Sequence, residues 1–350
     1  MQTRIAGYDF ARSLPLFGLV AVSFTHNWSQ ADFYLLDADS QGWVTTTFLV
    51  LAGIGMSLLR QRDQNTNPSH RSAVSRKRLI KRAALLLVVG ICCNLIWETY
   101  FLCYYSICIV IGTLLLTASD RWLWSLALIF ALIWAACIAW TFGYPDVAFN
   151  MYEDSQPWTA EGTAFRLDIY RFHSIFFWTG SLLIGVWLGR WKVHDLRVRR
   201  GMFFGGIIVA LVWAFIPWLL ARFIPLSVWE SAGETIRWLL MPIFLPLHFF
   251  GIWGIATAII GGSLMLTEKY PDAIWTKPFI ETGQLALTFY VAHLVIGKWL
   301  LKELESLDII YPVGIDNAVI FCICAVIFSH FWRKGFEHGP IEWALRRVTG

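Results

Sequence analysis

The chain has 350 residues, of which 57% are hydrophobic and only 15% are charged, and its mean hydropathy is +0.57. A soluble protein of this length cannot bury so much apolar surface, so the composition excludes an ordinary soluble domain and predicts an integral membrane protein. The formal net charge of +4 is distributed over loops and does not indicate a nucleic-acid partner.

Ten apolar runs near the length of a membrane-spanning helix follow one another along the chain. They cover residues 10–28, 42–59, 83–98, 101–118, 122–142, 173–189, 201–224, 240–266, 284–301 and 315–332. The sequence shows no internal repeat and no low-complexity tract between them. It therefore predicts an all-α, polytopic membrane helix bundle of about ten transmembrane helices, organised as a single domain over residues 1–350.

Neither a cleaved signal peptide nor a metal site is expected. Asp9 lies directly before the apolar centre of the first run and no small-residue cleavage site follows, so we interpret this run as a retained first helix. The seven cysteines all fall inside apolar segments without metal-ligand spacing, and we interpret them as small buried side chains.

Basic and acidic connections alternate between the runs. Segments 60–82 and 190–200 and the tail after residue 332 carry most of the Lys and Arg, whereas segments 32–39 and 146–161 carry only acidic charges. Because loops rich in Lys and Arg stay in the cytoplasm, ten spans predict that both termini are cytoplasmic. Segment 60–82 could also bind a phosphorylated donor, although the orientation rule alone explains its charge.

The first run carries three ionisable residues and a serine. Asp9 and Arg12 lie at its start and His26 near its end, while Ser23 lies nearly in line with Arg12. A helix carries His26 about 21 Å beyond Arg12 and turns the two side chains to within roughly 40° of each other. Ionisable groups are costly next to hydrocarbon, so this stripe suggests a path across the membrane.

The ninth run contains a second group of polar residues. Gly283, Gln284, Tyr290 and His293 lie within or beside its apolar frame, and Gly283, Tyr290 and, roughly, His293 recur at helical spacing. Buried polar groups need partners, so we expect these residues to face other helices or a hydrated cavity.

Simpler interpretations stay open for these residues. Asp9 and Arg12 have the i, i+3 spacing of an ion pair that sets the depth of a helix. His26 fits an ordinary histidine at the membrane interface, and His293 fits a buried histidine that joins two helices.

Asp9 and Arg12 form a D-x-x-R pattern before an apolar helix. This pattern resembles the D-x-x-R-G opening of the transmembrane acyltransferase superfamily, which includes the heparan-α-glucosaminide N-acetyltransferases and the bacterial YeiB-like proteins. FLVLAGIGMSLLRQR, from Phe48, is similar to the second helix of that superfamily. SRKRLIKRAALLLVVG, from Ser75, is similar to the basic entry of its third helix.

Two later segments extend the resemblance. G-x-x-x-x-x-x-Y-x-x-H, from Gly283 to His293, resembles a late helix of the glucosaminide acetyltransferases. GPIEWALRR, from Gly339, resembles the G-P-L-E-W-L-L-R ending of the YeiB-like group. The resemblance thus covers most of the chain, with the motifs in the expected order.

Two positions depart from the family pattern. Ser13 stands where the family has glycine after the arginine, and Ser23 stands where related families place His or Asn. His26 follows one turn later, which makes it the candidate for the family's acyl-handling histidine near the outer side.

The resemblance implies a transmembrane acyltransferase of the bacterial inner (cytoplasmic) membrane. An acyl group, acetyl by analogy with the family, would pass from cytoplasmic acyl-CoA to a hydroxyl or amine of a glycan or other acceptor on the outer side. His26 is expected to act as general base or acyl carrier, with His293 in support.

The remaining candidate residues are expected to bind the donor or stabilise charge. Arg12, next to Asp9, would hold CoA phosphates or a pantetheine carbonyl. Ser23, Gln284 and Tyr290 would donate hydrogen bonds to acyl-CoA or to the developing oxyanion. Acetyl-CoA or another acyl-CoA is thus the expected co-substrate, and no metal is expected.

A transporter or flippase that moves a small molecule or a lipid-linked sugar without chemistry is the alternative, since polar residues inside spans fit that class too. A membrane sensor is less favoured, because no signalling domain is attached. The sequence leaves open the acceptor, the acyl chain, the primary catalytic histidine and whether the chain forms a homodimer.

Overall fold

The computed structural model of the protein describes residues 5–25, 30–66, 71–96, 101–143, 169–223, 233–271, 273–306 and 315–349. Every secondary-structure element in these ranges is helical, which confirms the predicted all-α class. In chain order the elements are α1 (Ala6–Thr25), α2 (Gln30–Thr66), α3 (Arg71–Ile96), α4 (Phe101–Leu115), α5 (Asp120–Gly143), α6 (Ile169–Leu188), α7 (Leu196–Phe223), α8 (Gly233–Lys269), α9 (Thr276–Gln284), α10 (Ala286–Ala292), a π-helical segment His293–Leu300, α11 (Leu301–Ser306), α12 (Ile315–Gly335) and α13 (Pro340–Thr349).

Each predicted apolar run coincides with a helix or, for the ninth run, with a series of short helices. Within the described ranges, five helical segments are long and apolar enough to cross a membrane: Gly42–Gln64, Asp120–Cys137, Leu196–Ile216, Leu247–Lys269 and Ile315–Gly335. The bent pair of α9 and α10 makes a sixth if it is counted as one span. The chain is therefore a polytopic membrane protein, and the count of ten spans stays a prediction.

Burial separates central helices from peripheral ones. The apolar stretches of α2 and α8 are 61% buried inside the bundle, compared with 17% for those of α7 and α12. α2 packs against α1, α3, α4, α6 and α8, whereas α7 packs mainly against α8. Large apolar side chains on the outer faces of α7 and α12 are exposed, as helices that face lipid require.

α2 and α6 approach closely because glycines lie against the partner backbone. A Cβ atom on Gly53 would overlap the Leu182 carbonyl oxygen of α6, and a Cβ atom on Gly185 would overlap the Val50 carbonyl oxygen of α2. The side chains around this contact are apolar and buried. Small residues of this kind let membrane helices gain van der Waals contact over a long stretch.

Contacts between helix ends gather the basic connections on one side of the bundle, which we name the basic face. Arg60, near the end of α2, donates to the Leu116 carbonyl at the end of α4. Arg199, at the start of α7, pairs with Glu268 at the end of α8. α1 also begins at this face, since Gly7 packs against the last turns of α8.

The predicted ninth helix, 284–301, starts at a break in the chain, and the residues from Ala286 onward are helical. α9 and the helix that begins with α10 meet at an angle of 72°, and Leu285 between them has φ −105° and ψ 20°. A continuous helix would send the N–H groups of Leu287 and Thr288 to carbonyls four residues earlier. Both instead donate to the carboxylate of Glu342 in α13, which satisfies them where the helix breaks.

Candidate functional site

The site begins where α1 and α9 touch backbone to backbone. A Cβ atom on Gly283 would overlap the Asp9 carbonyl oxygen, so only glycine permits this approach. Ser13 lies one turn later on α1, fully buried, and its hydroxyl donates to the Phe10 carbonyl at 2.7 Å. The serine that replaces the family's glycine is thus satisfied within its own helix.

A buried carboxylate connects the two helices at this contact. Arg12 Nη1 donates to Asp9 Oδ1 at 2.7 Å, and Gln284 Nε2 donates to Asp9 Oδ2 at 3.3 Å. Asp9 is 1% exposed, whereas the Arg12 side chain is 33% exposed. The buried negative charge is therefore compensated, and the guanidinium keeps further N–H donors for a ligand.

A second guanidinium lies within electrostatic reach of Arg12. Arg82, at the basic entry of α3, lies close enough to Arg12 and to Glu342 of α13 for their charges to affect one another, and it also lies near Tyr105 of α4. Tyr105 lies near both arginines. Two neighbouring positive charges repel each other, and an anion bound between them removes that repulsion.

Two buried polar atoms beside this charge cluster lack a hydrogen-bond partner among the described residues. They are the hydroxyl of Tyr8, which is 6% exposed, and Oε1 of Gln284. Tyr8 also lies near the guanidinium groups of Arg199 and Arg12. Buried polar groups are nearly always satisfied in proteins, so these atoms are positions where a ligand or water would bind.

His293 and Tyr290 form an aromatic pair beyond the break. His293 is 1% exposed and Tyr290 is 6% exposed, and their rings meet edge to face with centroids 5.2 Å apart. Tyr290 also packs on Phe101 of α4, with ring centroids 5.6 Å apart. Among the histidines whose side chains the structure describes, His293 is the one that is buried.

His293 lies along α1, between two points of contact. Gly283 touches Asp9 near the start of α1, and Gly297 packs on the ring of Phe24 near its end. The chain from Gly283 to Gly297 therefore runs in the same direction as α1, away from the basic face. His293 lies between these contacts, further from the basic face than the Asp9–Arg12 pair.

The predicted stripe on α1 is described in part. Arg12 and half-buried Ser23 lie on one continuous helix, α1, which Pro15 does not interrupt. His26 lies outside the described residues. The structure therefore brings Asp9, Arg12 and Gln284 together and separately pairs Tyr290 with His293.

Sequence reasoning missed four residues around the site. Arg82 falls in the basic segment 60–82, Tyr105 falls inside the fourth apolar run, and Tyr8 lies before the first run, so the sequence pattern assigned none of them to a site. Glu342 lies in the GPIEWALRR motif, which supports the family resemblance but was assigned no physical role. The resemblance of this motif to the family ending was the signal that could have directed attention to Glu342.

Comparison with known families decides the assignment. Residues 4–216 match the family described as heparan-alpha-glucosaminide N-acetyltransferase, catalytic, which is more than half of the chain. The chain belongs to this family. The resemblance to the transmembrane acyltransferase superfamily is thereby confirmed, and membership in this acetyltransferase family indicates a membrane transferase.

Other similarities cover the C-terminal half and the whole length. Residues 188–350 match a family described as protein of unknown function (DUF418). The uncharacterized protein YxaH of Bacillus subtilis (strain 168) is 22% identical over 404 aligned positions, covering 99% of this chain and 94% of YxaH. No solved structure matches.

The site of this acetyltransferase-family chain draws on both matched regions. Asp9, Arg12 and Ser23 lie in the stretch that matches the acetyltransferase family, whereas Gln284 and His293 lie in the stretch that matches the family of unknown function. The Gln284–Asp9 hydrogen bond joins the two stretches. The described residues contain no cluster of three His, Cys, Asp or Glu side chains that could hold a metal.

Proposed function

We propose that the protein is a transmembrane acyltransferase. It takes an acyl group, acetyl in the first instance, from acyl-CoA at the basic face and transfers it to a hydroxyl or amine of a glycan or other acceptor at the opposite face. The observation that carries the proposal is the Asp9–Arg12–Gln284 group at the α1–α9 contact, in a chain of an acetyltransferase family.

The charge cluster at this contact suits acyl-CoA as the donor substrate. Arg12 and Arg82 supply guanidinium groups for CoA phosphates, and Asp9 holds Arg12 in place. The buried Tyr8 hydroxyl and Gln284 Oε1 match the amide and carbonyl groups of a pantetheine arm. Ser23 and Tyr290 lie further along the path that the arm would follow.

The transfer step needs a base and a donor for the oxyanion. The thioester C–S bond breaks, a C–O or C–N bond forms, and CoA leaves as its thiol. An imidazole accepts the proton of the acceptor hydroxyl or amine, or carries the acyl group itself. We assign the imidazole role to His26 and His293, and Tyr290 would donate a hydrogen bond to the oxyanion.

In this proposal the basic face lies in the cytoplasm, because Lys- and Arg-rich connections favour that side. Segments 27–42 and 143–172 then face outward from the inner membrane of a bacterium. Labelling of an Asp37→Cys variant in intact cells with a membrane-impermeant thiol reagent tests this orientation, with the unsubstituted protein as control. Labelling that requires permeabilised cells would reverse it.

One observation favours the alternative of a transporter or flippase. The bend of 72° between α9 and α10 makes this span discontinuous, and many transporters build substrate sites from discontinuous helices. The two functions differ in a product, since a transporter releases no CoA thiol from acetyl-CoA.

The decisive experiment measures acetyl-CoA binding and CoA thiol release by purified protein. Arg12→Ala is expected to weaken acetyl-CoA binding by about tenfold or more, since a charge-assisted hydrogen bond to a phosphate is lost. Arg121→Ala is the matched control, because Arg121 is an exposed arginine at the start of α5. Wild-type protein that binds no acetyl-CoA and releases no thiol would remove the proposal.

A further inference from the structure

The carboxylate of Glu342 occupies the break between α9 and α10. Its Oε1 accepts hydrogen bonds from the Leu287 N–H at 2.8 Å and the Thr288 N–H at 3.0 Å, and its Oε2 accepts from the Thr288 hydroxyl. Ile341 N–H also donates to the Thr288 hydroxyl oxygen, at 3.4 Å. One turn of α13 is therefore bonded to the first turn of α10.

The break requires such a partner from elsewhere in the chain. The residue before α10, Leu285, offers no side-chain hydrogen bond to the helix that follows it. In a membrane segment the unsatisfied N–H groups of a helix start have no water to bond to. Glu342 satisfies two of them with a single carboxylate.

The GPIEWALRR motif is shaped for this contact. A Cβ atom on Gly339 would overlap Glu342 Oε2 and lie 2.7 Å from the Thr288 hydroxyl oxygen, so glycine leaves room for the bond. Pro340 begins α13, a position that proline favours in helices. Buried Leu345 anchors α13, which packs against α3 and α10.

We propose that Glu342 is a positioning residue that fixes the break and thereby sets where Tyr290 and His293 lie. Gln284 comes directly before the break, and the Tyr290–His293 pair follows it within nine residues of Gln284. The kinetic half of this inference rests on the proposed acyl transfer. The structural half, the fixed start of α10, stands independently of the reaction.

The test compares Glu342→Ala and Glu342→Gln with Glu337→Ala, whose side chain is 92% exposed in the wild type. Hydrogen exchange of the 286–292 amides is expected to rise by about tenfold or more in Glu342→Ala and to stay unchanged in Glu337→Ala. Glu342→Gln is expected to restore part of the protection, because its amide oxygen accepts both N–H groups and its NH₂ donates to Thr288.

Turnover supplies the second readout. Glu342→Ala is expected to lower kcat by about tenfold or more without weakening acetyl-CoA binding, because Arg12 and Arg82 stay in place and the change removes a negative charge near Arg82. A purely structural role would reduce folded yield without separating kcat from Kd, and without rescue by Gln. If the Ala variant does not fold, Glu342→Gln alone is measured, with an intermediate rise in exchange expected.

Two results bear on the inference differently. Unchanged exchange at 286–292 in both Glu342 variants would overturn it, whatever the activity. Wild-type protein that releases no CoA thiol would remove the acyl transfer proposal, and the exchange measurement would still decide whether Glu342 holds the break.

Discussion

Two helix contacts in this bundle both bring backbones together at glycines, and they differ in the side chains around them. At the α2–α6 contact, Gly53 and Gly185 let two backbones meet among buried apolar side chains. At the α1–α9 contact, Gly283 does the same, but the neighbouring side chains are an ion pair and an amide. A close backbone approach at glycine therefore indicates only how the helices pack, and it does not by itself indicate a functional site.

The polar content of the second contact is what indicates function. Apolar packing at a glycine contact would hold α1 and α9 together without Asp9, as it holds α2 and α6 together. A buried carboxylate adds a desolvation penalty that stability does not require. The comparison predicts that substitutions at α2–α6 affect folding, whereas substitutions at α1, α9 and the following segment affect donor binding and turnover.

The largest effect is expected for Gly53→Val in α2. The new side chain must push against the backbone of α6, which cannot move without separating the two helices, so we expect a loss of about 3 kcal/mol or more in stability. Thermal unfolding in detergent and the yield of folded protein measure it.

Gly55→Val is the matched control for that change. A Cβ atom on Gly55 meets nothing within 4 Å, and both variants share the same gain in helix propensity. Equal stability of the two variants would mean that the α2–α6 contact does not hold the bundle together.

Replacing His26 or His293 by alanine is expected to affect stability less than Gly53→Val does and to lower the rate strongly. Loss of the general base typically lowers the rate 10²–10⁴-fold without weakening binding. His26→Ala is therefore expected to bind acetyl-CoA normally and to release almost no CoA thiol with acceptor present, and His293→Ala is expected to lose less. His194→Ala, at an exposed histidine between α6 and α7, is the control.

The same experiment can show that His293, and not His26, has the primary catalytic role. Normal turnover of His26→Ala together with an inactive His293→Ala would move the acyl-handling role to the π-helical segment. Unchanged behaviour of both variants, with no thiol release by the wild type, would favour the transporter.

Helix positions and the Asp9–Arg12 pair could be predicted because they depend on local pattern. Apolar runs of membrane length gave helices at every predicted place, and the i, i+3 spacing placed a carboxylate beside a guanidinium. The Asp9–Gln284 bond could not be predicted, since it joins residues that are far apart in the chain and depends on how α1 and α9 cross.

The break at Leu285 is a feature of the ninth run that its sequence pattern does not predict. Hydrophobic periodicity over 284–301 favours one helix, and no proline interrupts it. The interruption is stabilised by Glu342, more than fifty residues later, which no local pattern indicates. Long-range partners of this kind become visible only in three dimensions, as does the proximity of Arg82 to Arg12.

The smallest effect is expected for Gln284→Leu, and it tests the α1–α9 side of the comparison most directly. The Gln284–Asp9 bond is long, at 3.3 Å, and Asp9 keeps Arg12 as a partner when it is lost. We therefore expect stability to fall by about 1 kcal/mol or less. Acetyl-CoA binding should weaken by roughly threefold to tenfold, because a neutral hydrogen bond to the donor disappears with Oε1. The rate at saturating acetyl-CoA should stay near the wild type, because the histidines are untouched.

Gln64→Leu, at an exposed glutamine near the end of α2, controls for the added apolar surface. If Gln284→Leu instead unfolds the protein as Gly53→Val is expected to, the polar group at α1–α9 serves the fold, and the difference between the two contacts disappears.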